Sequence, residues 1–400
     1  MKHVKRAMIL IICLFMMTGC WNRREINQLV IAIALGIDKT ENGYSFTAQL
    51  INPTMSSQAT KKGGAGSMVR TVRSQGETLF EAWRNLTEIN PRKVYFGHVQ
   101  LVVLNEKLVE EGIQKSLDPL MRDHDFRSDF FLLVSKENTA NDVLSILTVL
   151  EPIPALSIHS MLLSTSKHLG NISVLKFDEL LEELNTEGMD LALTEIKVIG
   201  DVNNGKLVSN VEASAPETYV QVGTLALLKY DKLVGWFDKD QSKGLNYAKG
   251  NIKSTSEVLP CPNPNSGNQT VEIITTKANM SASIKNDTPK IEIEVEVKGN
   301  IVDVECEENP VDMKIFKQIE DALSSKIETM IKDAIKVSQE EVKSDVFGFG
   351  NTIHRKENGY WKKHKDQWYE IFPTIPYTVK VTAKLHNTGS LDHSVKEKDE

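Results

Sequence analysis

The order of apolar and polar positions divides the chain into a front part of strands and short helices and a rear part of hairpins with one long helix. Near the start, Gln28 to Asp38 (QLVIAIALGID) is an almost continuous apolar run closed by turn chemistry, which predicts a buried strand. Glu41-Asn42-Gly43 supplies a turn, and Tyr44, Phe46, Ala48 and Leu50 then alternate with polar residues as a half-buried partner strand does. Pro53 to Ser67 is poor in large apolar residues and predicts a mobile loop. Leu79, Phe80, Trp83 and Leu86 recur at helical spacing over 77–90. A strand over 94–104, a short helix over 106–111, a strand over 129–134 and a helix over 139–147 follow. Pro152 and Pro154 break the chain before helices over 155–169 and 177–184. Together these predict an N-terminal α+β domain over residues 20–188.

Strands dominate next, over 191–199, 219–228 and 233–237, with a turn at Tyr230-Asp231-Lys232. A connector containing Gly235, Gly244 and Gly250 leads to a strand over 252–259, which predicts a middle β-rich domain over 189–260. Pro260-Cys261-Pro262-Asn263-Pro264 interrupts any strand. Residues 271–284 and 291–304 form a hairpin around Asn286-Asp287-Thr288-Pro289, and Ile291, Ile293, Val295 and Val297 alternate with charge, leaving one face wet. Over 311–343, Phe316, Ile319, Leu323, Ile327, Met330, Ala334 and Val337 recur every three or four residues. Such a helix is roughly 50 Å long. Its stripe strays from strict heptads and strand signals follow it, so packing on a sheet is favoured over a coiled coil. Residues 345–354 read as a turn-rich joint, 360–371 as a basic-aromatic helix, and Tyr377 to Leu385 as a last strand. The expected fold class is α+β, elongated and multi-domain, with mixed sheets and the long helix on the C-terminal sheet. That last domain spans 261–390, and the charged residues 391–400 form a disordered tail.

The ends change this picture. Lys2, Lys5 and Arg6 precede an apolar run over 7–17, the layout of a secretion signal and too short for a bilayer span of about 20 residues. Thr18-Gly19 then leads directly into Cys20, the lipobox pattern of bacterial lipoproteins, with Met17 where leucine is usual. Residues 1–19 are therefore read as a signal peptide and Cys20 as the lipidation site, against the plainer reading of an ordinary cleaved signal with an incidental cysteine. Two acyl chains hold a protein far more firmly than one. Trp21, Arg23 and Arg24 suit a membrane-proximal contact at the headgroup level, or a solvated domain start. Loss of the leader takes the formal charge from −7 to −10, an acidic balance that argues against a nucleic-acid partner. Beyond the anchor only Cys261 and Cys306 remain, either a disulfide in an oxidising compartment or two buried free thiols.

Candidate chemistry is sparse. The sequence has no H-E-x-x-H, G-x-S-x-G, P-loop or C-x-x-C, and Gly348-Phe349-Gly350 lacks the third glycine of a dinucleotide fingerprint. Arg122-Asp123-His124-Asp125 reads as a solvated turn, since neighbouring positions cannot all converge on one ion. His98 and His159 sit in apolar segments and read as core or interface histidines. Glu292, Glu294 and Glu296 read as a water-facing stripe. For Trp361, Trp368 and Tyr369 among Lys362, Lys363 and Lys365, core packing of the tryptophans is favoured over a partner or membrane-proximal surface. No metal site, cofactor or enzyme class is indicated.

Three stretches carry a resemblance: Cys20-Trp-Asn-Arg-Arg-Glu-Ile-Asn27 running into residues 29–38; Leu225 to Trp236; and Asp345-Val-Phe-Gly-Phe-Gly-Asn351 followed by Trp361, Trp368 and Phe372-Pro373. With them the chain resembles the Ger(x)C lipoproteins, the C subunits of spore germinant receptors. The resemblance implies a place on the outer face of the spore inner membrane, beside integral-membrane A and B subunits, in nutrient-triggered germination. It also implies a three-domain α+β fold, no enzymatic activity, and no nutrient-binding residue that could be carried over; Cys20 alone transfers as a functional residue. The rival is a substrate-binding lipoprotein of an import system, which would show two α/β lobes about a hinge.

Overall fold

A computed structural model describes residues 3–6, 8, 28–51, 69–263, 266–306 and 313–386. Cys20, Trp21, Arg23 and Arg24, the loop expected over 53–67 and the tail over 391–400 lie outside the described residues.

The first sheet has nine strands: β1 (Leu29–Thr40), β2 (Gly43–Ile51), β3 (Val69–Gly76), β4 (Lys93–Tyr95), β5 (Leu101–Asn105), β6 (Phe131–Ser135), β7 (Ala192–Ile199), β8 (Tyr219–Lys229) and β9 (Lys232–Trp236). Their order is β3-β2-β1-β5-β6-β7-β8-β9, with β4 also beside β1. β1, β5, β6 and β7 run parallel, while β2 and β8 join antiparallel at the two flanks. Parallel neighbours need crossovers, and these carry α1 (Leu79–Ile89), α2 (Glu106–Glu111), α3 (Gln114–Arg122), α4 (Ala140–Ser145), α5 (Pro154–His168) and α6 (Phe177–Leu184). Val102 and Leu104 face Trp83, Leu117 and Phe177 on one side. Leu101 and Val103 face Ala140, Leu144 and Ile158 on the other. A strand covered on both faces has no polar side to show, which is why these strands read as unbroken apolar runs. Polar residues inside the sheet have assigned partners: Asp38 accepts from the N–H groups of Ala140 and Asn141 at 2.6 and 3.2 Å, capping α4.

Two expectations fail here. The strand expected over 94–104 is two strands, because residues 96–100 form a turn that keeps Phe96 and Val99 in the core and exposes His98. The middle domain expected over 189–260 is not separate: β7, β8 and β9 extend the first sheet, with β7 pairing parallel to β6. A boundary at 188 would cut through continuous hydrogen bonding.

Between β7 and β8 lie two short helices, α7 (Val202–Gly205) and α8 (Val208–Glu212). Past β9 the chain forms α9 (Lys239–Lys249), β10 (Thr255–Pro260), β11 (Asn268–Lys285), β12 (Thr288–Val304), α10 (Met313–Lys336), α11 (Phe349–Lys356), α12 (Asn358–His364), α13 (Trp368–Ile371) and β13 (Tyr377–Leu385). The second sheet is β10-β11-β12-β13, with β13 parallel to β12. Asn286 and Asp287 turn the long hairpin with φ of 49° and 59°, the left-handed pair that a two-residue turn demands. Ile291, Ile293, Val295 and Val297 pack beneath Ile319, Leu323, Ile327 and Ala334 of α10, so the long helix covers the sheet. It ends in a π-helical turn over Val337–Glu341, where the buried Gln339 donates to the carbonyls of Phe372 and Ile375 at 2.8 and 3.0 Å.

The expected connector around Gly244 is the helix α9. A Cβ at residue 244 would lie 2.2 Å from the Met330 carbonyl oxygen, so the glycine lets α9 and α10 touch backbone to backbone. A residue that weakens helices in isolation is here required by packing. The turn-rich joint is likewise helical from Phe349. Cys261 and Cys306, both buried, are joined in a disulfide with Cα atoms 5.6 Å apart, straddling the strands β11 and β12. Among the described residues no helix is long and apolar enough to cross a membrane.

Candidate functional site

The two sheets are clamped together where the segment entering β7 meets the segment entering α11. Gly348, with φ of 75°, turns the chain so that the Asp345 carboxylate sits at the amino end of α11. It accepts from the N–H groups of Phe349 and Gly350 at 2.9 and 2.8 Å and from Trp368 Nε1 at 3.2 Å. Exposed N–H groups at a helix start favour a negative charge. Asp190 answers from the other side: its Oδ2 accepts from the Asp345 N–H at 2.8 Å, and its own N–H donates to the Asp345 carbonyl at 3.0 Å. Asp190 Oδ1 accepts from the Tyr230 N–H at 2.8 Å and the Tyr369 hydroxyl at 2.7 Å.

Two buried carboxylates therefore meet at the joint, each held by hydrogen-bond donors and neither ion-paired among the described residues. Burial, reinforced by the charge of Asp190, pushes Asp345 up to about 7 against the pull of its donors. Burial also raises Asp190 despite its own hydrogen bonds. Tyr369 is raised above the ordinary tyrosine range, first by burial and then by Asp190. Two glycines complete the clamp. A Cβ on Gly188 would fall 2.5 Å from the Gly350 carbonyl carbon, and one on Gly350 would fall 2.8 Å from the Trp368 ring. The Asn351 N–H donates to the Gly188 carbonyl at 2.8 Å. Outside the clamp, Glu187 accepts from Trp361 Nε1 at 2.9 Å and pairs with Lys365 at 3.0 Å, which hold its carboxyl below the usual range.

A cavity of about 620 Å³ opens beside this joint, lined by Glu187, Asp190, Tyr230, Asp231, Lys365 and Tyr369 among others. Its one buried carboxylate, Asp190, is committed to the Asp345, Tyr230 and Tyr369 donors, so the geometry is that of a joint and not of a nucleophile with its base. Trp361 and Trp368, expected as core, are 3% and 2% exposed and stack edge to face at 5.2 Å.

The remaining candidates stand apart from the joint. His124, with its side chain 85% exposed, lies 3.7 Å from Asp125 on a surface turn. The His159 ring packs on Phe131 at 5.2 Å, and burial lowers its pKa. His98 is exposed beside Tyr95. Glu292, Glu294 and Glu296 project from the open face of β12, in register with Thr378, Lys380 and Thr382. No cluster of three or more His, Cys, Asp or Glu suited to a metal occurs among the described residues. Sequence reading missed Asp190, Tyr230 and the role of Gly188. The signal available was the glycine pair, Gly188 and Gly350, which the topology alone brings together.

Comparison with known proteins covers both regions. Residues 22–198 match the family described as spore germination protein N-terminal domain, and residues 223–389 match the one described as spore germination B3/GerAC like, C-terminal. Spore germination protein KC of Bacillus subtilis (strain 168) is 30% identical over 396 residues, covering 98% of this chain and 97% of that protein. Spore germination protein B3 of the same organism is 25% identical over 396 residues, covering 98% of this chain and all of that protein. The crystal structure of the GerBC protein shares the fold, with a TM-score of 0.55 over 88% of this chain and 96% of that one, at 20% identity.

Proposed function

The chain belongs to the Ger(x)C family of spore germination proteins, and from that premise we propose that it is the lipid-anchored C subunit of a nutrient germinant receptor. In this reading Cys20 carries the diacylglycerol, and Trp21, Arg23 and Arg24 settle at the headgroups. The two-sheet body stands on the outer face of the spore inner membrane and acts by assembling with the integral-membrane A and B subunits. The observation that carries the reading is the match to spore germination protein KC along nearly the whole of both chains. The joint at Asp190 and Asp345 supports it in a second way. The motif residues 345–351 serve to fix two regions rigidly, as an assembly component requires, and present no reacting group. An import-system binding protein would need two matched α/β lobes, whereas here a helix-covered parallel sheet adjoins a hairpin sheet.

Deletion of the gene in a strain without paralogous receptors tests the proposal. Nutrient-triggered release of dipicolinate should be lost while germination by a non-nutrient trigger persists; a normal response to every nutrient overturns it. Cys20→Ala should leave the folded body intact and remove the protein from the membrane fraction. Full germination with that variant would mean that partner contacts, and not lipid, supply the anchorage.

A further inference from the structure

Resting on the reading that Cys20 carries lipid, we propose that the exposed basic edge of α11 and α12 is a second membrane contact, seated on anionic lipid headgroups. Topology places this edge. Because β1, β5, β6 and β7 are parallel, Leu29 and the segment entering Ala192 lie at the same end of the first sheet. That segment holds α11 and α12 through Gly188 with Asn351, Glu187 with Trp361, and Glu187 with Lys365. The two helices therefore sit at the end from which the chain leads back to Cys20. Three strand spacings, about 14 Å, separate β1 from β7. The nine residues from Cys20 to Gln28 reach at most about 30 Å. A bilayer holding the Cys20 lipid is thus within range of this end.

Charge selects the contact. Residues 354–365 hold Arg355, Lys356, Lys362, Lys363 and Lys365 against the single acid Glu357, a formal +4 in a chain of −7. Lys365 is paired with Glu187. Several other bases at this end are paired: Lys93 lies 3.1 Å from Asp125, Arg122 2.7 Å from Asp118 and Arg127 3.3 Å from Asp129. Arg355, Lys356, Lys362 and Lys363 are exposed and have no carboxylate partner among the described residues. Trp361 and Trp368 beside them in sequence are buried and Tyr360 is half-buried, so what this edge exposes is mainly its charged side chains. Free cations on the anchor side of an acidic protein complement an anionic headgroup layer, which attracts each lysine or arginine near its surface.

The test uses the mature chain, residues 20–400 with Cys20→Ser so that no lipid contributes. Vesicles of phosphatidylcholine alone are compared with vesicles containing phosphatidylglycerol, at low and high salt. The chain should bind only the anionic vesicles and lose binding as salt rises. Lys362→Gln with Lys363→Gln should weaken binding about fivefold per charge, roughly thirtyfold for the pair. Its circular dichroism and melting should be unchanged. Equal binding by parent and variant, or no preference for the anionic lipid, overturns the proposal. A variant that binds vesicles normally but fails in germination would assign this edge to a protein partner, and the proposal falls. The mass of the Cys20 peptide from membranes tests the anchor separately. An unmodified peptide removes the premise of anchoring, while the vesicle result still reads the basic edge.

Discussion

The two sheets solve the same burial problem in different ways. In the first, helices lie on both faces, so β5 and β6 show five consecutive buried positions each. In the second, α9 and α10 cover one face only, and β12 alternates buried and exposed residues from Lys290 to Gly299. The covered sheet draws its cohesion from two cores of its own. The open sheet buries only every second position along this stretch against its helices, and is tied further by the Gly244 contact and a disulfide. The second region should therefore be the one that single changes unseat.

Loss of the disulfide should have the largest effect. The bond closes a loop with a sequence separation of 45, and chain entropy assigns such a loop about 4 kcal/mol, with 2–5 typical of native bonds in small domains. Cys261→Ser with Cys306→Ser should lower the unfolding free energy of the second region by that order. Hydrogen exchange in β5 and β6 should be almost untouched. Equal loss of protection in both sheets would show that they unfold as one unit.

Gly244→Val comes next. Its Cβ would meet the backbone of Met330, not a side chain that can swing away, so α9 must separate from α10. A cost of about 3 kcal/mol or more is expected. Gly36→Ala provides the matched control in the first sheet. There the nearest atom is the Ala140 Cβ at 3.0 Å, and adjustment of α4 should keep the loss smaller. Chemical denaturation of both variants checks the ranking.

The joint between the regions should give an intermediate effect with a pH signature. Asp345→Asn places an amide against three N–H donors, at least one of which is left unpaired, for about 1–3 kcal/mol. The sign of the pH effect follows from the raised pKa. Unfolded Asp345 releases its proton near 3.8, whereas the folded group holds it until about 7. Its contribution is therefore fully present below pH 4, falls as pH rises to about 7, and is flat beyond that. Urea denaturation at pH 5 and pH 8 should show a downward step in the parent that is smaller in Asp345→Asn, in which Asp190 remains. An equal step in both would move the titration to another group.

These contrasts also explain how much was legible beforehand. Continuous runs and alternations are local, so β1, α2, α6 and β13 could be placed within a residue or two. The open face of β12 was legible for the same reason. Gly244 was misread because its meaning lies in Met330, far along the chain, and no local pattern encodes a helix crossing. The joint was half legible. Residues 345–351 stood out as a motif, yet their partner Asp190 follows an unremarkable Gly188-Met189 and is recruited only by the topology. The same blindness placed a domain boundary at 188, where β6 and β7 are hydrogen-bonded.

The smallest expected effect lies on the open face, where it bears most directly on the contrast between the sheets. Glu294 is exposed, with Asn279 and Lys380 opposite it on the neighbouring strands. A solvated cross-strand pair contributes only a few tenths of a kcal/mol, so Glu294→Ala should change stability by about 0.5 kcal/mol or less. Ile293→Ala, one residue away on the covered face, should cost about 2–5 kcal/mol, because it leaves a cavity beneath α10. The ratio of the two losses measures how one-sided the sheet is in solution. If Glu294→Ala approached the cost of Ile293→Ala, this face would have to be covered by another surface. The second sheet would then be built like the first, with its outer layer supplied by a partner.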